Sequence, residues 1–177
     1  TLVLGASALK TRLDPGFNKL IPLKHPYMSA FLQHSGTFSG ANRVLLSVQW
    51  KGEGDIYNPE FLAVLRKVND EVFFTSGVNR ASVRSIFAPS VRYIEVTEEG
   101  FTGDVVIPAR FNADAQSIAA VRANVAKSGV VGQLVSRDLK SAMVQADLLE
   151  VNPDTGEHLD YAKVAQQLEH IRTEFAK

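Results

Sequence analysis

Residues 42–74 read NRVLLSVQW-KGEGDIY-NPEFLAVLRKVNDEVFF, and this stretch decides the fold class. In residues 42–50, Val44, Leu46, Val48 and Trp50 alternate on one side with Leu45 on the other, the period of a strand covered partly on both faces. The polar loop of residues 51–55 (KGEGD) ends it. Asn58 then supplies a capping oxygen, Pro59 a preset first helical turn and Glu60 an acid near the positive helix end, so a helix is expected from Pro59 to about Phe74. Phe61, Leu65, Val68 and Val72 form its seam, widened by Leu62 and Phe73, and a face that broad packs on a sheet.

Downstream, Gly77 is read as the helix stop, followed by two short strands at 83–87 and 91–96 separated by Pro89. Glu98, Glu99 and Gly100 form a turn, and the stretch to Phe111 is turn-rich. A second long helix is expected over 112–128, with an Asn or Asp cap, contacts at Ile118, Val121 and Val125, and Gly129 as its end. Residues 130–135 and 141–151 read as a strand pair around the turn 137–140, and residues 152–156 (NPDTG) as a strong turn. A last helix starts near Asp160, with Tyr161, Val164, Leu168, Ile171 and Phe175 on one stripe. Upstream, residues 10–23 are an extended lead-in broken by Pro15, Gly16 and Pro22. His25 and Pro26 open a helix bearing Tyr27, Phe31, His34 and Phe38, which frays at Gly36 and Gly40.

Helices and strands thus follow one another without a fixed repeat, which predicts an α+β fold. Its simplest closed form is a ferredoxin-like split βαβ sandwich: a mainly antiparallel sheet of four or more strands with helices packed on one face. We expect residues 1–23 to lead into a single domain spanning 24–177.

The 177 residues are 45% hydrophobic and 21% charged, which is ordinary usage for a chain with a core. Nineteen acidic and nineteen basic residues balance, so no overall field draws nucleic acid, and none is expected as a partner. The absence of cysteine excludes disulfides and thiolate catalysis. No run reaches the 18 or so apolar residues of a membrane-spanning helix. The chain opens at Thr1 with an apolar TLVLGASAL and stops at Lys177 inside a helical pattern, so we read it as part of a longer polypeptide.

Chemistry-bearing patterns are sparse. His25, His34, His158 and His170 never approach the H-E-x-x-H spacing of a zinc-binding helix face. Neither a G-x-S-x-G nucleophile elbow nor a phosphate-binding G-x-x-x-x-G-K-[ST] loop is present, and Gly129 and Gly132 suit turns. The oxygens of Glu150, Asn152, Asp154, Glu157 and Asp160 lie along one loop. Counting from Glu150, however, Thr155 stands where a calcium loop needs glycine, so a solvated turn before the last helix is expected. No metal, no cofactor and no catalytic residue is assigned, and an enzyme is not expected. Phe73, Phe74 and Phe87 are read as core aromatics. Phe101 and Phe111, in the turn-rich stretch, are the candidate contacts for an apolar substrate. Arg80, Arg84 and Arg92 read as a solvated strand edge.

Residues 13–48 (LDPGFNKLIPLKHPYMSAFLQHSGTFSGANRVLLSV) resemble the segment after the first membrane helix in bacterial exporters of the resistance-nodulation-division (RND) superfamily, in the Patched-like and large mycobacterial membrane protein branch. Phe17, Leu20, Pro22, His25, Pro26 and Tyr27 carry most of that likeness. Residues 58–74, 83–96 and 161–175 (YAKVAQQLEHIRTEF) resemble the same loop in proteobacterial predicted exporters. The likeness is extended similarity from Leu13 onward, without a short diagnostic motif.

It implies a periplasmic porter domain of ferredoxin-like build in a bacterial inner-membrane protein. The apolar start would be the last turn of the first membrane helix, and the proton-carrying acids would lie in membrane helices outside this chain. The implied partners are the rest of the same polypeptide, namely the membrane helices and a second periplasmic loop, and a hydrophobic or amphiphilic small molecule or lipid. A homo-oligomer is compatible with this. From the order of elements alone, the alternative is a free-standing ferredoxin-like module that binds a small molecule or dimerises.

Overall fold

The computed structural model describes residues 42–152 and 155–175. The expected lead-in and the helix opening at Pro26 lie outside the described residues, as do Pro153 and Asp154 of the expected turn.

The alternating stretch forms strand β1, Arg43–Gln49. It pairs antiparallel with β4, Ser141–Asp147, with Leu46 opposite Val144 and Val48 opposite Ala142. On β4 that face is buried through Ala142, Val144 and Ala146. Helix α1 runs Pro59–Phe74, as the cap and proline predict, and the Asn58 side chain accepts the Phe61 N–H at 2.8 Å. The helix ends at Phe74, as expected, and its cap is Thr75 and not Gly77. The Thr75 hydroxyl donates to the Glu71 carbonyl at 2.8 Å, satisfying one of the carbonyls that a helix end orphans. Phe61, Leu62, Leu65, Val68 and Val72 are buried, and α1 packs on β4, so the predicted seam is the heart of the core.

After a short 3-10 turn at Arg80–Ser82, strands β2, Arg92–Thr97, and β3, Gly100–Val105, form an antiparallel hairpin around Glu98 and Glu99. Helix α2, Ala115–Ser128, lies against β2, with Gly129 in a left-handed conformation at its end. Helix α3, Tyr161–Phe175, packs on α1, with Ile171 in the shared core and Val164 also buried. The architecture is mixed α+β with small antiparallel sheets. Among the described residues the four strands pair two by two, β1 with β4 and β2 with β3, where one sheet of four or more was expected.

Three expected strand limits change. Residues 83–87 are a buried turn that touches β4 at one point, where Arg84 and Gln145 exchange hydrogen bonds of 2.8 and 3.0 Å. Within it the Ser85 hydroxyl accepts the Phe87 N–H, a local alternative to a ladder bond. Residues 130–135 also curl, because the N–H groups of Gln133, Leu134 and Val135 all point to the Val130 carbonyl. The expected strand 141–151 stops at Asp147. Beyond it the Leu148 and Leu149 N–H groups bond Asn42 and Gly77, and β4 is lost as a straight element.

Two further differences have local causes. β3 falls in the stretch read as turn-rich, because Gly100, Thr102, Gly103 and Asp104 carry weak strand preference and owe their conformation to pairing with β2. α2 begins at Ala115 and not at Asn112, because Ala113 is left-handed (φ 61°) and turns the chain before the Asp114 cap.

Candidate functional site

Strand β1 is an edge strand among the described residues, since its ladder runs to β4 alone. Beside it lie the first two turns of α1 and the last two of α3. These three walls enclose an open groove of about 920 Å³, within the 300–1,000 Å³ or so of small-molecule sites. Leu46 and Trp50 of β1 and its following residue, Phe61 and Val64 of α1, and Leu168 and Phe175 of α3 give it an apolar floor and sides. Helical spacing explains the α3 wall: Leu168, Ile171 and Phe175 are three and four residues apart and share one face.

Trp50 is the single tryptophan of the chain. It is held at three points. Its ring N–H donates to the Glu53 carbonyl at 2.8 Å, and its ring meets Phe61 edge to face at 6.4 Å between centroids. A Cβ on Gly52 would stand 2.6 Å from the indole, so glycine is what lets the polar loop fold over it.

Charges mark the rim: Lys51 and Glu60 on one side, Glu169 and Arg172 on the other. Arg172 donates to both Glu169 oxygens, at 2.8 and 2.5 Å. That hydrogen bonding holds the Glu169 carboxyl below the usual carboxylate range and raises Arg172. The rim therefore balances two cations against two anions. An apolar trough with a neutral, polar mouth suits a ligand with a greasy body and a polar end.

The two sequence candidates go elsewhere. Phe111 is half-buried and packs edge to face on Phe87, 6.5 Å between centroids. Phe101 stands on the open face of the hairpin, 82% exposed, opposite Val96. Neither lines the groove, and the structure gives them different neighbours. The groove residues were read in the sequence only as core positions. The one legible signal was an aromatic, Trp50, at the end of a strand beside a glycine-rich loop.

The remaining polar clusters are structural ties. Arg122 pairs with Asp55 and lies over the Tyr57 ring at 4.6 Å, fastening the 51–57 loop to α2. Burial raises the Tyr57 hydroxyl above its ordinary value, with the Arg122 charge opposing. Arg80 lies over Phe73 and Phe74, at 5.7 and 6.0 Å from their centroids. His158 and His170 are exposed, and among the described residues no group of three or more His, Asp or Glu side chains is placed to hold a metal ion. No helix among them is long and apolar enough to cross a membrane. No family model matches the chain, and no curated protein is significantly similar to it.

Proposed function

We propose that this chain is the periplasmic porter domain of a proton-driven RND-superfamily exporter, and that it binds or channels a hydrophobic or amphiphilic substrate without chemical change. The observation that carries the binding part is the groove along the β1 edge, apolar within and charge-balanced at its mouth. The likeness of residues 13–48, 58–74, 83–96 and 161–175 to exporter loops supplies the context. The order β1, α1, β2, β3, α2, β4 is that of a split βαβ unit and supports the ferredoxin-like reading. The β1–β4 and β2–β3 pairings are compatible with it, and one further strand pairing would join them into a single sheet.

In this reading the domain works as a passive lobe. A membrane-embedded engine moves protons and rocks this loop against a second one, and the groove holds the apolar body of the cargo during transit. Two tests bear on it. The full reading frame should encode membrane-spanning helices on both sides of these residues, and a gene with none would sink the exporter assignment. Separately, Trp50 emission should shift to the blue and saturate as a single-chain lysophospholipid is titrated in below its micellar concentration. A flat titration would sink the groove as the binding site.

A further inference from the structure

The hairpin has a second apolar surface that the groove does not explain. Strand alternation sends Tyr93 and Glu95 toward α2, where Lys127 pairs with Glu95 at 2.8 Å and lies 5.7 Å from the Tyr93 ring centroid. The same alternation turns Arg92, Ile94 and Val96 outward. Ile94 is 69% and Val96 74% exposed, and Phe101 stands beside Val96 because the two are register partners. Three large apolar side chains thus form one bare patch, whereas those of a solvated surface are usually scattered singly.

The register gives this patch a shape. Ile94 faces Gly103 across the hairpin, so the row carrying Phe101 has an empty place one pair further on. The gap is enforced: a Cβ at Gly103 would stand 2.4 Å from the Tyr93 carbonyl oxygen. The charges are arranged as well, with Arg92 at the base of the hairpin and Glu98 and Glu99 at its tip. Arg92 itself is only loosely tied, at 3.3 Å to the Gly103 carbonyl and 3.9 Å to Asp104, and it is half exposed.

We propose that this hairpin face is a self-complementary interface for a second copy of the chain. A two-fold axis running between the two stacked sheets, across the strands at the level of Glu95, reverses the strand direction and lays β2 over β2. Ile94 then meets Val96 of the other copy, and Phe101 enters the gap above Gly103. Arg92 comes over the acidic tip. Each contact is made twice, as an isologous interface requires. The acidic tip is also what disfavours a lipid surface, since it would lead the hairpin toward anionic headgroups. A patch of a few hundred Å² per copy falls below the roughly 1,200 Å² of standard stable complexes, so the dimer is reversible and concentration-dependent. This inference is independent of the exporter reading.

Sedimentation of the 177-residue chain over micromolar to millimolar concentration tests it. A monomer–dimer equilibrium is expected, with Phe101→Ser and Ile94→Ser each weakening it by at least about tenfold. Arg92→Glu alone, or Glu98→Arg with Glu99→Arg, should weaken it too, and the three together should restore association. The chain has no cysteine, so a mixture of Ile94→Cys and Val96→Cys chains should oxidise mainly to the mixed disulfide dimer, a readout that does not depend on loss of binding. A monomer at every concentration overturns the proposal, as does a dimer indifferent to Phe101→Ser. Binding to phosphatidylcholine vesicles that is lost in Phe101→Ser would also overturn it, by assigning the patch to a membrane.

Discussion

Ser85 has no solvent exposure, and its hydroxyl donates to Asn69 Oδ1 at 2.6 Å while accepting the Phe87 N–H at 3.0 Å. One small side chain thus fixes the 83–88 turn against α1. Ser85→Ala would leave a buried amide oxygen and a backbone N–H each without this partner. The expected cost is about 1–3 kcal/mol, read from the denaturant midpoint at unchanged slope. Asp114 acts at the opposite extreme of exposure. Its carboxylate accepts the Ser117 N–H at 2.7 Å, and this bond, with those from the Asn112 and Ser117 side chains, lowers its pKa. A carboxyl depressed in the folded state stabilises above its unfolded pKa of about 3.9, and that contribution is lost as the pH falls toward the lower folded value. Asp114→Asn keeps a capping oxygen and removes the titration. The melting temperature of the variant should therefore fall less steeply below about pH 4 than that of the parent. Asp138 and Glu169 are depressed in the same sense, so the slope is reduced and not abolished.

Among the elements, the connections carry as much information as the helices. Gly77 and Gly54 both have left-handed φ, 85° and 76°, but only Gly77 is crowded, where a Cβ would lie 2.4 Å from Leu159. Alanine is strained at either position, and at Gly77 it also wedges the link between α1 and the approach to α3. Gly77→Ala should cost on the order of 1–3 kcal/mol more than Gly54→Ala, measured by parallel chemical denaturation. The hairpin is the reverse case. The large apolar side chains of its outer face, Ile94, Val96 and Phe101, are mostly exposed, so Ile94→Ser and Phe101→Ser should leave the unfolding midpoint of dilute protein within about 0.5 kcal/mol of the parent. A larger loss would mean that the face is covered within the monomer.

For the molecule as a whole, the groove and the core share residues, and that limits how the site can be altered. Phe61 is 2% exposed and touches both, so Phe61→Ala would cost about 3–5 kcal/mol and confound any binding assay. Leu168 is half-buried on the α3 wall, and Leu168→Gln should weaken lysophospholipid binding about tenfold at Trp50 while far-UV dichroism is retained. Fluorescence of an unchanged, saturating titration in that variant would place the ligand elsewhere.

Residues 42–74 and the three described helices were legible because their signals are local: alternation for β1, a cap and proline for α1, a glycine end for α2. The α+β class followed from their order. The boundaries that failed are those set at a distance. Residues 83–87 and 130–135 have strand-forming side chains, yet they lie against β4 as turns, because Ser85 and the Val130 carbonyl take up backbone hydrogen bonds locally. β3 has weak strand-forming composition and exists through its partner.

By itself the sequence determined what each segment prefers, since capping, periodicity and turn chemistry act within a few residues along the chain. Only the tertiary structure decided which apolar side chains would close into a core, which would wall the groove beside Trp50, and which, like Phe101, would be left in water. Those outcomes depend on contacts between residues tens of positions apart, such as Leu46 with Val144, and no local preference encodes the side of a strand that a distant helix will cover.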